Sequence, residues 1–234
     1  MTLGPFDYAL WIAGFCLEVY VVVFAIFHRG FLRYICLNLY LLALALDTAG
    51  EYFIIHKFGL SSIEYCYYYY YTESLLTISM FFVILQFYQQ VFHQMQASKY
   101  IRGAAGFLLV GTSWFSYMVV HQNQGHLTSR FVVELGQNLH FVGVVLTYLL
   151  WGAILKLRET RARLVQLVLA LGIYFSGSAA TYALRNLFPS LELPVLKIVP
   201  PLVGLSLLVA WAYTFTKIPE DARLMTSRLL ARAR

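Results

Sequence analysis

Seven predominantly apolar runs recur along the chain, at 6–27, 34–55, 64–92, 104–120, 131–155, 164–187 and 195–216. A bilayer-spanning helix needs about 20 such residues, whereas a helix in an ordinary soluble core needs fewer. The longest run, 64–92, has 29 residues and contains no Gly, Pro, Lys or Arg. At about 1.5 Å per residue it predicts a helix of about 43 Å, longer than a hydrocarbon core of about 30 Å. Its first third is crowded with tyrosines (Tyr65 and Tyr67 to Tyr71), followed by Thr72 and Glu73 and then an apolar body. The polar segments between runs are short, which predicts that each helix lies antiparallel to the one before it. Pro200 and Pro201 give the last run two possible beginnings: a helix starting near Pro200, or one kinked there.

Composition agrees with this pattern. The chain has 234 residues, is 60% hydrophobic and only 12% charged, against about 25% charged in soluble domains. The runs use nearly the whole length, which predicts one all-α bundle over 1–216 and a short basic tail over 217–234. Net charge is +6, and its distribution argues for topology rather than for nucleic acid. Thirteen of the seventeen basic residues fall in the first, third and fifth connections and the tail; Lys57, Arg130, Arg185 and Lys197 fall on the other side. By the positive-inside rule the N-terminus is predicted outside and the C-terminus in the cytoplasm, in a multi-pass protein of the inner (plasma) membrane. The tail is expected to form one short helix with Pro219, Glu220 and Asp221 at its start. Its arginines suit anionic lipid head groups or a protein partner.

Ionisable residues inside a membrane are costly and tend to face the bundle interior. With the predicted topology, Asp47, Glu51, Tyr70, Glu73, Glu134, Asn138, Tyr182, Arg185 and Lys197 all fall in the outer half, while the inner half offers only Glu18. Asp47 with Glu51, and Glu134 with Asn138, are four apart and share a helix face. Either Tyr69 or Tyr70 should turn inward with Glu73, the other tyrosines forming an aromatic belt. These residues define a candidate acidic and aromatic pocket open to the outside. The stripe Gly172, Ser176 and Ala180 predicts close helix contact. Cys16, Cys36 and Cys66 read as small apolar residues. The histidines lack metal-ligand spacing, no nucleotide or hydrolase motif is present, and neither metal nor cofactor is expected.

The segment from about Arg29 to Arg102, above all YYYYYTESLLTISMFFVILQFYQQVF, resembles a broad group of uncharacterised bacterial seven-helix membrane proteins with an aromatic run before a Thr-acid pair. It is also similar in general design to the seven-helix sensor modules of bacterial histidine kinases. That resemblance implies sensing, with output through a partner at the basic inner face. The expected function is therefore a non-enzymatic receptor for a proton, cation or small amphiphile. Two alternatives stand beside it: a small proton- or cation-coupled transporter, and an accessory or scaffold subunit of a larger membrane complex.

Overall fold

The computed structural model describes residues 5–27, 33–59, 62–92, 98–121, 127–187 and 195–224. Among them the fold is all-α, with seven helices: α1 (Pro5–Phe27), α2 (Ile35–Phe58), α3 (Ile63–Val91), α4 (Ser98–His121), α5 (Leu127–Leu157), α6 (Ala162–Leu187) and α7 (Val195–Lys217). Each overlies one of the seven apolar runs. The helices α4 and α5 begin earlier than their runs at 104 and 131. Hydropathy marks the apolar body, whereas helical hydrogen bonding continues into flanking polar turns.

Local chemistry sets the tight turn between α2 and α3. Gly59, at φ 84°, takes a positive-φ backbone that favours glycine and closes α2, and its N–H donates to the Ile55 carbonyl at 2.9 Å. The Ser62 hydroxyl then caps α3 by accepting from the Tyr65 N–H at 3.0 Å. Glu64 in the first turn complements the helix dipole.

Packing joins α1 to α2, α2 to α3, α3 to α5, α5 to α6, α6 to α7 and α7 back to α1. Six helices thus close a ring, and α4 lies outside it against α5 and α3. Two glycines set close approaches around α6. A Cβ at Gly143 on α5 would meet the Phe175 ring of α6 at 2.4 Å, and one at Gly177 on α6 would meet Val203 of α7 at 2.9 Å. The expected stripe on α6 is corrected in part: Ala180 is exposed, and the tight contact with α7 runs through Gly177, a neighbouring face.

The buried core occupies one half of the ring. Leu37, Leu41, Ile84, Phe87, Leu150, Leu164, Leu167, Leu171 and Trp211 are fully or almost fully buried there. Large apolar side chains also cover the outer surface; Phe107 is 79% exposed and Leu155 72% exposed. Helices apolar on both inner and outer faces belong in a membrane. Five are long and apolar enough to cross one, in α2, α3, α5, α6 and α7, while α1 and α4 carry the shorter apolar stretches Trp11–Ile26 and Gly106–His121.

The end of the bundle beneath this core is tied by charge. Arg163 donates to Glu220 and to the Ile218 carbonyl, Arg33 pairs with Glu220 at 3.0 Å, and the Tyr34 hydroxyl donates to the same carboxylate at 3.2 Å. Arg161 forms a two-pronged pair with Glu159 and reaches the Gln90 carbonyl at 2.8 Å. The tail is not helical where described. Residues 218–224 turn and then run extended, with Ala162 N–H donating to Ala222 (3.1 Å) and Leu224 N–H to Thr160 (2.7 Å). The expected helix start at Pro219, Glu220 and Asp221 is therefore a turn, because Glu220 is drawn back to Arg163 and Arg33; residues 225–234 lie outside the described set. Nor does α7 start at Pro200: the helix begins at Val195 and runs through both prolines.

Candidate functional site

A cavity of about 710 Å³ opens inside the ring at the end opposite the ion pairs. Its lining repeats at helical spacing on each wall. On α3 it is Tyr65, Tyr69, Glu73, Leu76 and Thr77; on α2 Leu44, Thr48, Glu51, Tyr52, Ile55 and His56; on α6 Tyr174, Ser178, Thr181, Tyr182 and Arg185. Tyr8, Trp11, Gly14 and Glu18 come from α1, His140 from α5, and Pro200, Pro201, Gly204, Leu205, Leu207 and Leu208 from α7. The i, i+3 and i+4 intervals put each set on one face of its helix. Residues near the open ends of α1, α2, α3, α6 and α7 form the mouth. Tyr40, Leu76, Leu207 and Leu208 lie deepest, and beneath them Tyr40 meets the Trp211 ring edge to face at 6.0 Å between centroids.

Aromatic side chains pair along both walls. Trp11 stacks on Tyr52 at 5.5 Å, and Tyr52 on His56 at 6.1 Å. Across the cavity His140 is packed by Tyr182 at 5.2 Å, Phe175 at 5.8 Å and Tyr174 at 6.0 Å. His140 is 2% exposed, and its Nδ1 lies 2.8 Å from the Gly136 carbonyl. A carbonyl only accepts, so Nδ1 carries hydrogen.

Three carboxyl groups share the cavity and are held differently. Glu18 accepts from the Thr48 hydroxyl at 3.1 Å. Glu51 accepts from the Tyr65 hydroxyl at 3.1 Å, with the Trp11 indole beside it. The Glu73 backbone carbonyl accepts from the Thr77 hydroxyl at 2.8 Å. The carboxyl group of Glu73 has no donor among the described residues.

Of the predicted site residues, Glu51, Glu73, Tyr182 and Arg185 come together in this cavity. Asp47 turns into the α2–α3 seam, where the Tyr68 hydroxyl donates to its backbone carbonyl at 3.2 Å; its buried Oδ1 has no hydrogen-bond partner among the described residues. A Cβ at Gly50 would lie 2.1 Å from that phenol oxygen, so the missing side chain is what admits Tyr68 to the seam. Glu134 and Asn138 face α4: the Asn138 amide donates to Ser116 at 3.0 Å and to Glu134 at 3.4 Å. Tyr69, four residues before Glu73, lines the cavity, while Tyr70 does not and packs against the Tyr69 ring. Lys197 stands in the first turn of α7, and its side chain lies outside the described residues.

Sequence reasoning passed over Trp11, Thr48, Tyr52, Tyr65, His140 and Tyr174 as site residues. Trp11, Thr48 and Tyr65 carry a signal in the helical spacing they share with Glu18, Glu51 and Glu73, and Tyr174 in the spacing it shares with Tyr182. Near a membrane surface, however, aromatic residues at such spacing also form lipid-facing belts. Among the described residues no three His, Cys, Asp or Glu groups stand close enough to hold a metal ion. Comparisons with protein-family models, curated proteins and solved structures give no match.

Proposed function

We propose that this chain is a seven-span, receptor-like protein of the inner (plasma) membrane, with its N-terminus outside and its C-terminus in the cytoplasm. The cavity binds a cation or small amphiphile arriving from outside, and occupancy is passed to a protein partner at the basic end. The supporting observation is a roomy cavity that ends inside the bundle. A volume of about 710 Å³ falls within the range of small-molecule pockets, about 300–1,000 Å³, and mixed aromatic and polar lining is typical of them. Below it Leu37, Leu41, Ile84, Phe87, Leu164, Leu167 and Trp211 form a packed layer with few polar groups among them, such as Asn38 and Thr214, which favours a receptor over a transporter. The ring gives a route for a signal, since α2, α3, α6 and α7 each run from the cavity wall to the ion-paired end.

Filling the cavity tests this. Gly204 lines it, and a Cβ there meets nothing within 4 Å, so Gly204→Phe should fold while occupying the ligand's space. Protein purified from its native membrane, denatured and analysed by mass spectrometry should release a small molecule from wild type that is depleted at least tenfold in the variant. Equal recovery from both, or none from either, would contradict the reading.

A further inference from the structure

The three carboxyl groups in the cavity are not equivalent, and the difference selects a class of ligand. Glu18 and Glu51 each take a hydroxyl donor from a neighbouring helix. Glu73 has no such donor among the described residues, yet it lies deep on the α3 wall. The phenols of Tyr69, Tyr174 and Tyr182 line the same space. A carboxylate that faces the cavity without a protein donor is open to a cation brought to it, which supplies the missing partner. Aromatic faces within about 6 Å of a cation add further attraction. Among the described lining residues three carboxyl groups stand against one guanidinium, that of Arg185, which disfavours an anionic ligand.

An inorganic cation fits less well. Calcium takes about 6–8 oxygen ligands at roughly 2.3–2.6 Å, whereas these carboxyl groups belong to three different helices, two of them already bonded. The space also continues past Glu73 to Leu44, Leu76, Leu207 and Leu208, which suits an apolar body rather than a bare ion.

We propose that the cavity receives an organic monocation with an aromatic or aliphatic body, its cationic head seated at Glu73 among Tyr69, Tyr174 and Tyr182. This rests on the reading of the cavity as a ligand site, and the test separates the two. Benzyltrimethylammonium carries a permanent charge. Neopentylbenzene, with carbon in place of nitrogen, has the same shape without charge, and benzenesulfonate is an anionic control. Binding to the purified full-length protein is followed by tryptophan fluorescence, since Trp11 forms part of the wall, with Gly204→Phe as the blocked reference.

The expected result is that the cation binds wild type at least tenfold more tightly than neopentylbenzene, with no measurable binding of benzenesulfonate. Glu73→Gln should weaken the cation at least tenfold and leave neopentylbenzene unchanged, which also reports an intact cavity. Glu51→Gln should weaken the cation less than threefold, because Tyr65 already occupies that carboxylate. Should Glu73→Gln fail to fold, Glu73→Asp withdraws the charge by one methylene and should weaken the cation threefold or more with neopentylbenzene unaffected. Equal binding of cation and neutral isostere, or cation binding insensitive to Glu73, would overturn the cation assignment while leaving a ligand cavity in place. If none of the three probes distinguishes wild type from Gly204→Phe, the cavity reading itself fails, and the assignment falls with it.

Discussion

A methyl group added at Gly143 would sit 2.4 Å from the Phe175 ring, and Phe175 is itself 1% exposed. The ring has no free space to move into, so Gly143→Ala should overpack the α5–α6 contact and cost about 1–3 kcal/mol. Gly204→Ala meets nothing within 4 Å and should be neutral or gain about 0.5–1 kcal/mol from reduced backbone freedom. Thermal midpoints of both variants in one detergent check the pair: a fall for Gly143→Ala only is expected, and equal midpoints would contradict the packing. At this scale the sequence was partly legible. Glu51, Glu73, Tyr182 and Arg185 were found because costly residues within a membrane face the bundle interior. Tyr69 and Tyr70 could not be separated, since they lie four and three residues before Glu73 and both flank it on a helix. Which one lines the cavity depends on where α2 and α6 stand relative to α3. The same limit misdirected α5, which has two polar faces: Glu134 with Asn138, and His140. Only the lean of α4 against α5 shows that the first faces Ser116 and the second the cavity.

The seven helices could be read directly, because each apolar run is long and is bounded by polar connections. Their order around the ring could not, because short loops fix antiparallel neighbours but not whether a helix such as α4 sits inside or outside. The tail misled for another reason. Pro219 followed by two acidic residues is a fair helix start, but Glu220 gains more from Arg163, Arg33 and Tyr34 than from a helix dipole. Beside it, hydrogen bonding from Arg161 holds the Glu159 carboxyl below its ordinary value of 4.5, and the same bonding raises Arg161. A depressed carboxyl contributes stability that is present above its unfolded pKa and is lost as pH falls through the folded value. The seam between 160–162 and 222–224 should therefore be firm at pH 7 and loosen as pH drops below about 4.5. Amide exchange, corrected for intrinsic rates, measures this at Ala162 and Leu224. At pH 7 Glu159→Gln should exchange faster than wild type, and the two should converge on acidification. Identical rates at pH 7 would show that the pair does not hold the seam.

The whole molecule has a division that composition anticipates. Thirteen of seventeen basic residues were assigned to one end, and at that end the structure pairs Arg33 and Arg163 with Glu220 and Arg161 with Glu159. The cavity lies at the other end, with its aromatic and carboxyl groups above a packed apolar core. Charge asymmetry orients such a bundle across a membrane, which predicts a cavity reachable from outside and sealed from the cytoplasm. One measurement tests that claim most directly. Gly204→Cys, in a variant with Cys16, Cys36 and Cys66 replaced, places a single thiol on the cavity wall. A membrane-impermeant methanethiosulfonate bearing a trimethylammonium group is then added to spheroplasts or to inside-out vesicles. The account predicts modification in spheroplasts, slowed by benzyltrimethylammonium, and none in inside-out vesicles. Modification from the cytoplasmic face alone, or from neither face, would contradict it.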